Sequence, residues 1–248
     1  MMKFFILLKH ELYRLISSPG TMCIFLVFPF ILIALMGFLF EDLYHTSIVS
    51  SYDFYGVTML FFIIMMGSTV PANVFLAKKI KSGNTRIFYS PVSRISIYCS
   101  KILACFLVMS ICVTLNIIVF QMTSFVNFGG ENIGYVIFLM VQFCFFLIVL
   151  SSAICVTIHS EEITNIILSN SMSVFGLLSG IFFPIANLGH FFERLAAYSP
   201  FKWTIDCLFQ LIYDGGSMNY WWIMLGLFGL SLLLLMIVHR NYRPENYI

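Results

Sequence analysis

The run IGYVIFLMVQFCFFLIVLSSAICVTI, residues 133–158, decides the fold. A helix that crosses a bilayer needs about 20 mainly apolar residues. This run exceeds that length without one Asp, Glu, Lys or Arg. Its apolar residues are continuous, whereas a barrel strand shows about ten residues of alternating character. Backbone polar groups surrounded by lipid must be satisfied within their own segment, which leaves the helix. Five further runs of similar character cover 21–40, 54–77, 99–122, 163–183 and 218–238. The chain is 60% hydrophobic and 10% charged. A soluble chain carries about 25% charged residues, so no large soluble domain fits here. The expected fold is an all-α membrane protein with six transmembrane helices in one domain, 1–248.

The connections assign the sides. With the N-terminus in the cytosol, that side receives Lys3, Lys9, Arg14, Lys78, Lys79, Lys81, Arg86, Arg94, Lys101, Arg240 and Arg243. The other side receives Arg194 and Lys202. By the positive-inside rule both termini are expected in the cytosol. The apolar part of the N-terminus, Phe4 to Leu8, is too short for a signal peptide.

Two segments depart from the spanning pattern. Residues 2–18 place Phe5, Leu8, Leu12 and Leu15 at helical spacing, with Lys3, His10, Arg14 and Ser17 opposite. This is the pattern of an amphipathic helix in the interface plane. Residues 184–214 are too apolar for an ordinary outer loop. Their helical periods break at Ser199-Pro200 and end at Asp214-Gly215-Gly216. They are expected to form a re-entrant helical pair, because non-spanning backbone at that depth must be covered by protein or line a cavity.

Much catalytic chemistry is missing. No GxxxxGK[ST] motif occurs, so no P-loop is expected. His10-Glu11-Leu12-Tyr13 begins like HExxH, but Arg14 stands at the second His position. The seven cysteines are scattered without a CxxC pair and read as small buried residues. The near-neutral charge gives no nucleic-acid footprint. The spanning runs lack the buried acid or His relay of an ion-coupled carrier. Their polar residues are neutral: Asn73, Asn116, Gln121, Gln142, Asn165 and Asn170. Asn165, Ser169, Ser173, Gly176 and Gly180 share one helical face, readable as a subunit interface, a pathway wall or packing within one bundle. Gly176 and Gly180 form a small-xxx-small pair.

The segment 78–97 is longer than a plain turn between helices requires. Bases alternate there with Ile80, Ile87, Phe88, Tyr89 and Val92, a mixture suited to docking on a protein surface. Setting topology and touching anionic lipid is the plainer alternative. Ser82-Gly83-Asn84-Thr85-Arg86, then Ser90-Pro91-Val92-Ser93-Arg94 and Lys101, resembles the cytosolic loop of ABC-2 type permeases, the membrane subunits of ABC exporters. Leu178-Ser179-Gly180-Ile181-Phe182-Phe183-Pro184 and Leu195-Ala196-Ala197-Tyr198-Ser199-Pro200-Phe201 resemble that family's segment around its fifth helix. Lys81 stands where the family often has an acid, Asn84 intervenes, and Gly189 replaces a family Pro.

The resemblance implies a division of labour. Two partner ABC ATPase subunits would bind ATP and Mg, with no cofactor bound by this chain. Coupling would fall to Lys81, Gly83, Arg86, Phe88, Tyr89, Pro91 and Arg94, with a smaller contact at Glu161 and Glu162. Asn73, Asn165, Ser169, Ser173, Gly176 and Gly180 would line the path or meet a second permease chain, identical or similar. The expected role is ATP-driven export of an amphipathic or hydrophobic cargo, an antimicrobial or toxic peptide or a drug, across a bacterial plasma membrane. Lipid or polysaccharide export, or a non-transporting membrane anchor, is the alternative. An intramembrane enzyme would need a nucleophile–base pair or metal ligands, and none is evident.

Overall fold

The computed structural model describes residues 2–44, 49–77, 92–182, 194, 196–216 and 218–243. Helix α1 spans Met2–Ile16. Among the described residues five helices are long and apolar enough to cross a membrane: α2 (Pro19–Leu39), α3 (Ser51–Leu76), α4 (Arg94–Met122), α5 (Gly130–Ile158) and, last in the chain, Tyr220–Asn241. Between the last two lie α6 (Glu161–Leu178) and α7 (Pro200–Tyr213). Tyr220–Asn241 is therefore α8. No strand occurs among the described residues.

Of the run expected as a fifth span, 163–183, residues 163–178 lie in α6, which is not among the five. Its helical part holds Glu161, Glu162, Asn165, Asn170 and four serines or threonines before residue 174, which lowers its hydropathy. It stops at a Schellman turn. Gly180 N–H donates to Leu177 O at 3.3 Å and Ile181 N–H to Gly176 O at 3.4 Å. Gly180 has φ +78°, a left-handed conformation that favours glycine, so its place in the fold is the helix stop.

Helix α3 runs through the centre of the bundle. Its most apolar stretch is 72% buried, against 22% for α2 and for α8. Aromatic rings join it to its neighbours: Phe61 stacks on Phe143 of α5 at 4.3 Å, and Phe54 on Phe209 of α7 at 5.3 Å. The approach of α2 to α3 depends on Gly37. A Cβ there would lie 2.4 Å from the Tyr52 ring, and Ser51 Oγ donates to Gly37 O at 2.8 Å.

Both of these helices are broken near mid-span, and proline explains each break. Pro29 has no N–H for the carbonyl of Phe25, four residues earlier. The helix widens there into a π turn over Cys23–Val27, with Phe28 N–H reaching Cys23 O. The Phe25 carbonyl is satisfied from another helix, by Asn116 Nδ2 of α4 at 2.8 Å. The same nitrogen also reaches Cys112 O at 2.7 Å. Pro71 acts similarly on α3. The chain tightens to a 3₁₀ turn at Gly67–Thr69, and Val70 N–H takes the Gly67 carbonyl that Pro71 leaves. The two breaks adjoin, since a Cβ on Gly67 would lie 2.8 Å from the Phe25 ring.

Helix α7 is amphipathic. It buries Phe201, Ile205, Leu208, Leu211 and Ile212 and exposes Trp203 and Gln210. Its 14 residues span about 21 Å, less than a bilayer core. Asn132 Nδ2 donates to Leu211 O at 3.1 Å, and Asp53 Oδ1 accepts Asn127 N–H at 2.7 Å. These bonds place α7 at the bundle end where α3 begins and α4 ends. The first part of the expected re-entrant pair, 184–193, lies outside the described residues.

Asn116→Leu removes the donor for two carbonyls in the apolar interior. It is expected to lower stability by about 1–2 kcal/mol, the upper range for interhelical bonds in membranes. A fall in the melting temperature of the detergent-solubilised protein checks this.

Candidate functional site

At the end of the bundle opposite α7, α1, the end of α3, the start of α4 and the end of α8 meet. Helix α1 turns Leu8, Glu11 and Leu15 inward against α4, and all three are buried. Phe5, expected on that strip, is instead 62% exposed, as are Ile6 and Tyr13 at similar levels. The helix therefore offers apolar side chains on both flanks, one to protein and one outward.

Glu11 lies 4% exposed, in the middle of the inward strip. An apolar setting for a carboxylate requires cations. Arg14 Nη2 stands 2.6 Å from Glu11 Oε2, one helical turn along α1. Lys101 Nζ of α4 stands 3.9 Å from Glu11 Oε1. Lys101 is itself 2% exposed, although the sequence reading placed it among the cytosolic bases. Its Nζ donates to Val74 O at 2.9 Å and sits 5.4 Å from the Phe75 ring centroid, a cation–π contact. Arg14 Nη2 also reaches Val74 O, at 3.5 Å.

The Val74 carbonyl is the focus of this collar. It belongs to the last turn of the stub Val70–Leu76, where a helix runs out of intrahelical donors. Two cations supply that need and suit the negative end of the helix dipole. Aromatic rings enclose the same point. Tyr242 stands 6.2 Å from Phe75 and 5.4 Å from Tyr98, and Tyr98 Oη shares a 3.0 Å hydrogen bond with His239 Nδ1. Burial, with Cys155 and Glu11 nearby, holds the Tyr242 phenol above its ordinary range, so it stays neutral at physiological pH.

Of the expected coupling residues, Lys81, Gly83, Arg86, Phe88, Tyr89 and Pro91 lie outside the described residues. Arg94 is exposed at the first turn of α4, which Ser93 caps by accepting Ser96 N–H at 3.3 Å. Glu161 is half-buried and Glu162 exposed, both in the first turn of α6, where carboxylates complement the helix dipole. Ser160 caps that turn by accepting Ile163 N–H at 3.5 Å.

The expected path or interface residues divide. Asn165 Nδ2 donates to Asn73 Oδ1 at 3.1 Å, tying α6 to the stub of α3. Ser173 is exposed and Ser169 half-buried, with Ser173 Oγ bonded to Ser169 O at 2.8 Å. Gly176 is buried, and a Cβ there would meet Phe182, Phe62 and Ile181 at ordinary contact distances of 3.7–3.8 Å. Gly180 lies beyond the helix. No group of three or more His, Cys, Asp or Glu converges as a metal site would require, among the described residues.

Sequence reasoning missed Glu11 and the inward role of Lys101. The available signal was an acid at an inward position of α1's helical period, together with a base two turns inside an apolar run.

These features define a multi-pass helical membrane protein with an amphipathic N-terminal helix locked to its bundle. The profile of the ABC-2 family transporter proteins matches residues 44–238, most of the chain. The chain belongs to that family and is a membrane permease of the ABC transporter type. No curated protein gives a significant match.

Lys101→Met strands the buried Glu11 carboxylate beside fewer cations. It is expected to cost about 3 kcal/mol, in the range for breaking a buried pair. Adding Glu11→Gln to that variant is expected to return part of the loss. Thermal unfolding of the two single variants and the double variant measures the coupling.

Proposed function

We propose that this chain is the membrane subunit of an ATP-driven exporter, moved by a separate ATPase that binds the ATP and Mg. The observation that carries this reading is the family membership together with the place of the collar. The stub Val70–Leu76 has a 3₁₀ turn at one end and leads straight into the basic, aromatic segment 78–97 at the other. Lys101 and Arg14 grip its last turn. A push on the segment would be delivered to the stub, and through the collar to α1 and α4. Arg86 and Lys81 would meet acidic groups on the ATPase by charge-assisted bonds, with Phe88 and Tyr89 entering an apolar cleft. Glu161 and Glu162 at the tip of α6 form the smaller contact.

In this reading α6 completes six spans, with its polar turn at the cytosolic edge. Both termini lie in the cytosol, where most Lys and Arg then fall. Residues 184–214 form the re-entrant cap on the outer side. Two permease chains, identical or similar, pair with two ATPases. The α6 face bearing Ser169 and Ser173 lies along the path or the second chain, with Asn165 at its bundle edge. Its neutral polar side chains, with no charge to pair with an ion, suit an amphipathic peptide or drug over an ionic solute. Rigid-body motion of the two halves alternates access.

The test is purification of the tagged full chain from its native membranes, with mass spectrometry of the proteins that stay bound. An ATPase subunit is expected in the wild-type sample. Arg86→Ala and Phe88→Ala are each expected to reduce its retention about tenfold or more, as for hot-spot residues. Absence of an ATPase from the wild-type sample, with cargo resistance unchanged in both variants, refutes the reading.

A further inference from the structure

A second basic feature lies at the collar end of the bundle, apart from the coupling segment. Helices α5 and α8 pack together and end side by side, at Ile158 and Asn241. Between their ends is a cleft of about 300 Å³ lined by Val156, Thr157, His159, Arg240, Asn241 and Arg243. Arg240, Arg243 and His159 are all exposed. His159 takes the left-handed conformation, φ +59°, and closes α5 by donating its N–H to Cys155 O at 3.1 Å. That turn brings the end of α5 to the cleft. Among the described residues no carboxylate lines the cleft, and neither Arg240 nor Arg243 forms an ion pair. Arg14 and Lys101 at the same end pair with Glu11, so the charge of Arg240 and Arg243 is separate from the collar.

The surface above the cleft is apolar. Met236 and Ile237 stand one turn before Arg240, and Leu233 two turns before it, on the same side of α8. They are 67%, 43% and 58% exposed. A free anion or a soluble acidic group would have no use for that column. An anion joined to hydrocarbon chains fits both parts at once.

We propose that this cleft binds the diester phosphate of an anionic phospholipid, with its acyl chains along Leu233, Met236 and Ile237. The two guanidiniums present planar, multiply donating groups to the phosphate oxygens. Thr157 and Asn241 add neutral polar edges, and His159 contributes a further ring. Basic pockets between helices at the edge of a membrane favour such headgroups. The site depends on the membrane embedding of α5 and α8 and not on the export reading, so either can fail alone.

The test uses the full chain in detergent and native mass spectrometry. Phosphatidylglycerol and phosphatidylcholine with identical acyl chains are offered in equal amounts. Retention of phosphatidylglycerol in preference is expected, and R240Q/R243Q should weaken it roughly tenfold or more. R240K/R243K should keep most of the preference. If the double Gln variant does not elute as a folded species, R240Q alone is read, with a smaller loss expected. Equal retention of the two lipids, or retention unchanged by the Gln substitutions, overturns the proposal. So does full displacement of phosphatidylglycerol by millimolar inorganic phosphate, which would mark a site for free anions.

Discussion

The Val74 carbonyl is the point on which the arrangement depends. A helix that ends near the membrane edge leaves carbonyls without intrahelical partners, and lipid supplies none. Here two cations from two other helices meet that need. Moving Lys101 out of water is expensive on its own, by several kcal/mol for an isolated ion. Glu11, the carbonyl and the Phe75 ring offset that cost together. The same contacts bind α1 to the bundle, because Glu11 lies buried only where α1 is pressed against α4. An interfacial helix with apolar side chains on both flanks could otherwise leave the protein surface for the lipid.

This joint makes the stub Val70–Leu76 a distinct mechanical part. Its upper boundary is the 3₁₀ turn caused by Pro71, and its lower boundary is the ionic collar. Asn165 touches it from α6 through Asn73. On the proposed reading, a displacement of segment 78–97 reaches three helices through one short element. Packed interiors resist continuous deformation, so such a displacement is passed on and not absorbed locally.

The spans were legible because lipid imposes a simple rule, about 20 apolar residues without charge, and five of the expected runs meet it. The exception is instructive. The run 163–183 reads as a span when its apolar tail is counted, yet the Schellman turn at Gly180 ends the helix first. From sequence, Gly176 and Gly180 look like a packing pair, because spacing does not reveal backbone φ. The Glu11–Lys101 contact was illegible for another reason. It joins residues far apart in the chain, and each alone looks like an ordinary cytosolic charge. Asn116 stands out in the sequence only as a neutral polar residue within a span, and its partner follows only from noticing that Pro29 orphans the Phe25 carbonyl. The coupling segment itself rests on its composition and its resemblance, since its residues 78–91 lie outside those described.

The two prolines carry the argument a step further. Each breaks a helix in the apolar interior, where an unsatisfied carbonyl costs most. The chain answers them differently. At Pro29 the repair comes from another helix, so bending α2 there disturbs the contact with α4. At Pro71 the repair is local, within the 3₁₀ turn, so α3 can flex there without losing an interhelical bond. Gly67 sits at that turn against the rings and side chains of both neighbours, with Met109 and Phe25 filling the space a Cβ would need. The break in α2 is thus braced, and the break in α3 has the character of a hinge. The hinged helix is the one whose end continues into the proposed coupling segment, which is where a movable joint is required if force enters from that side.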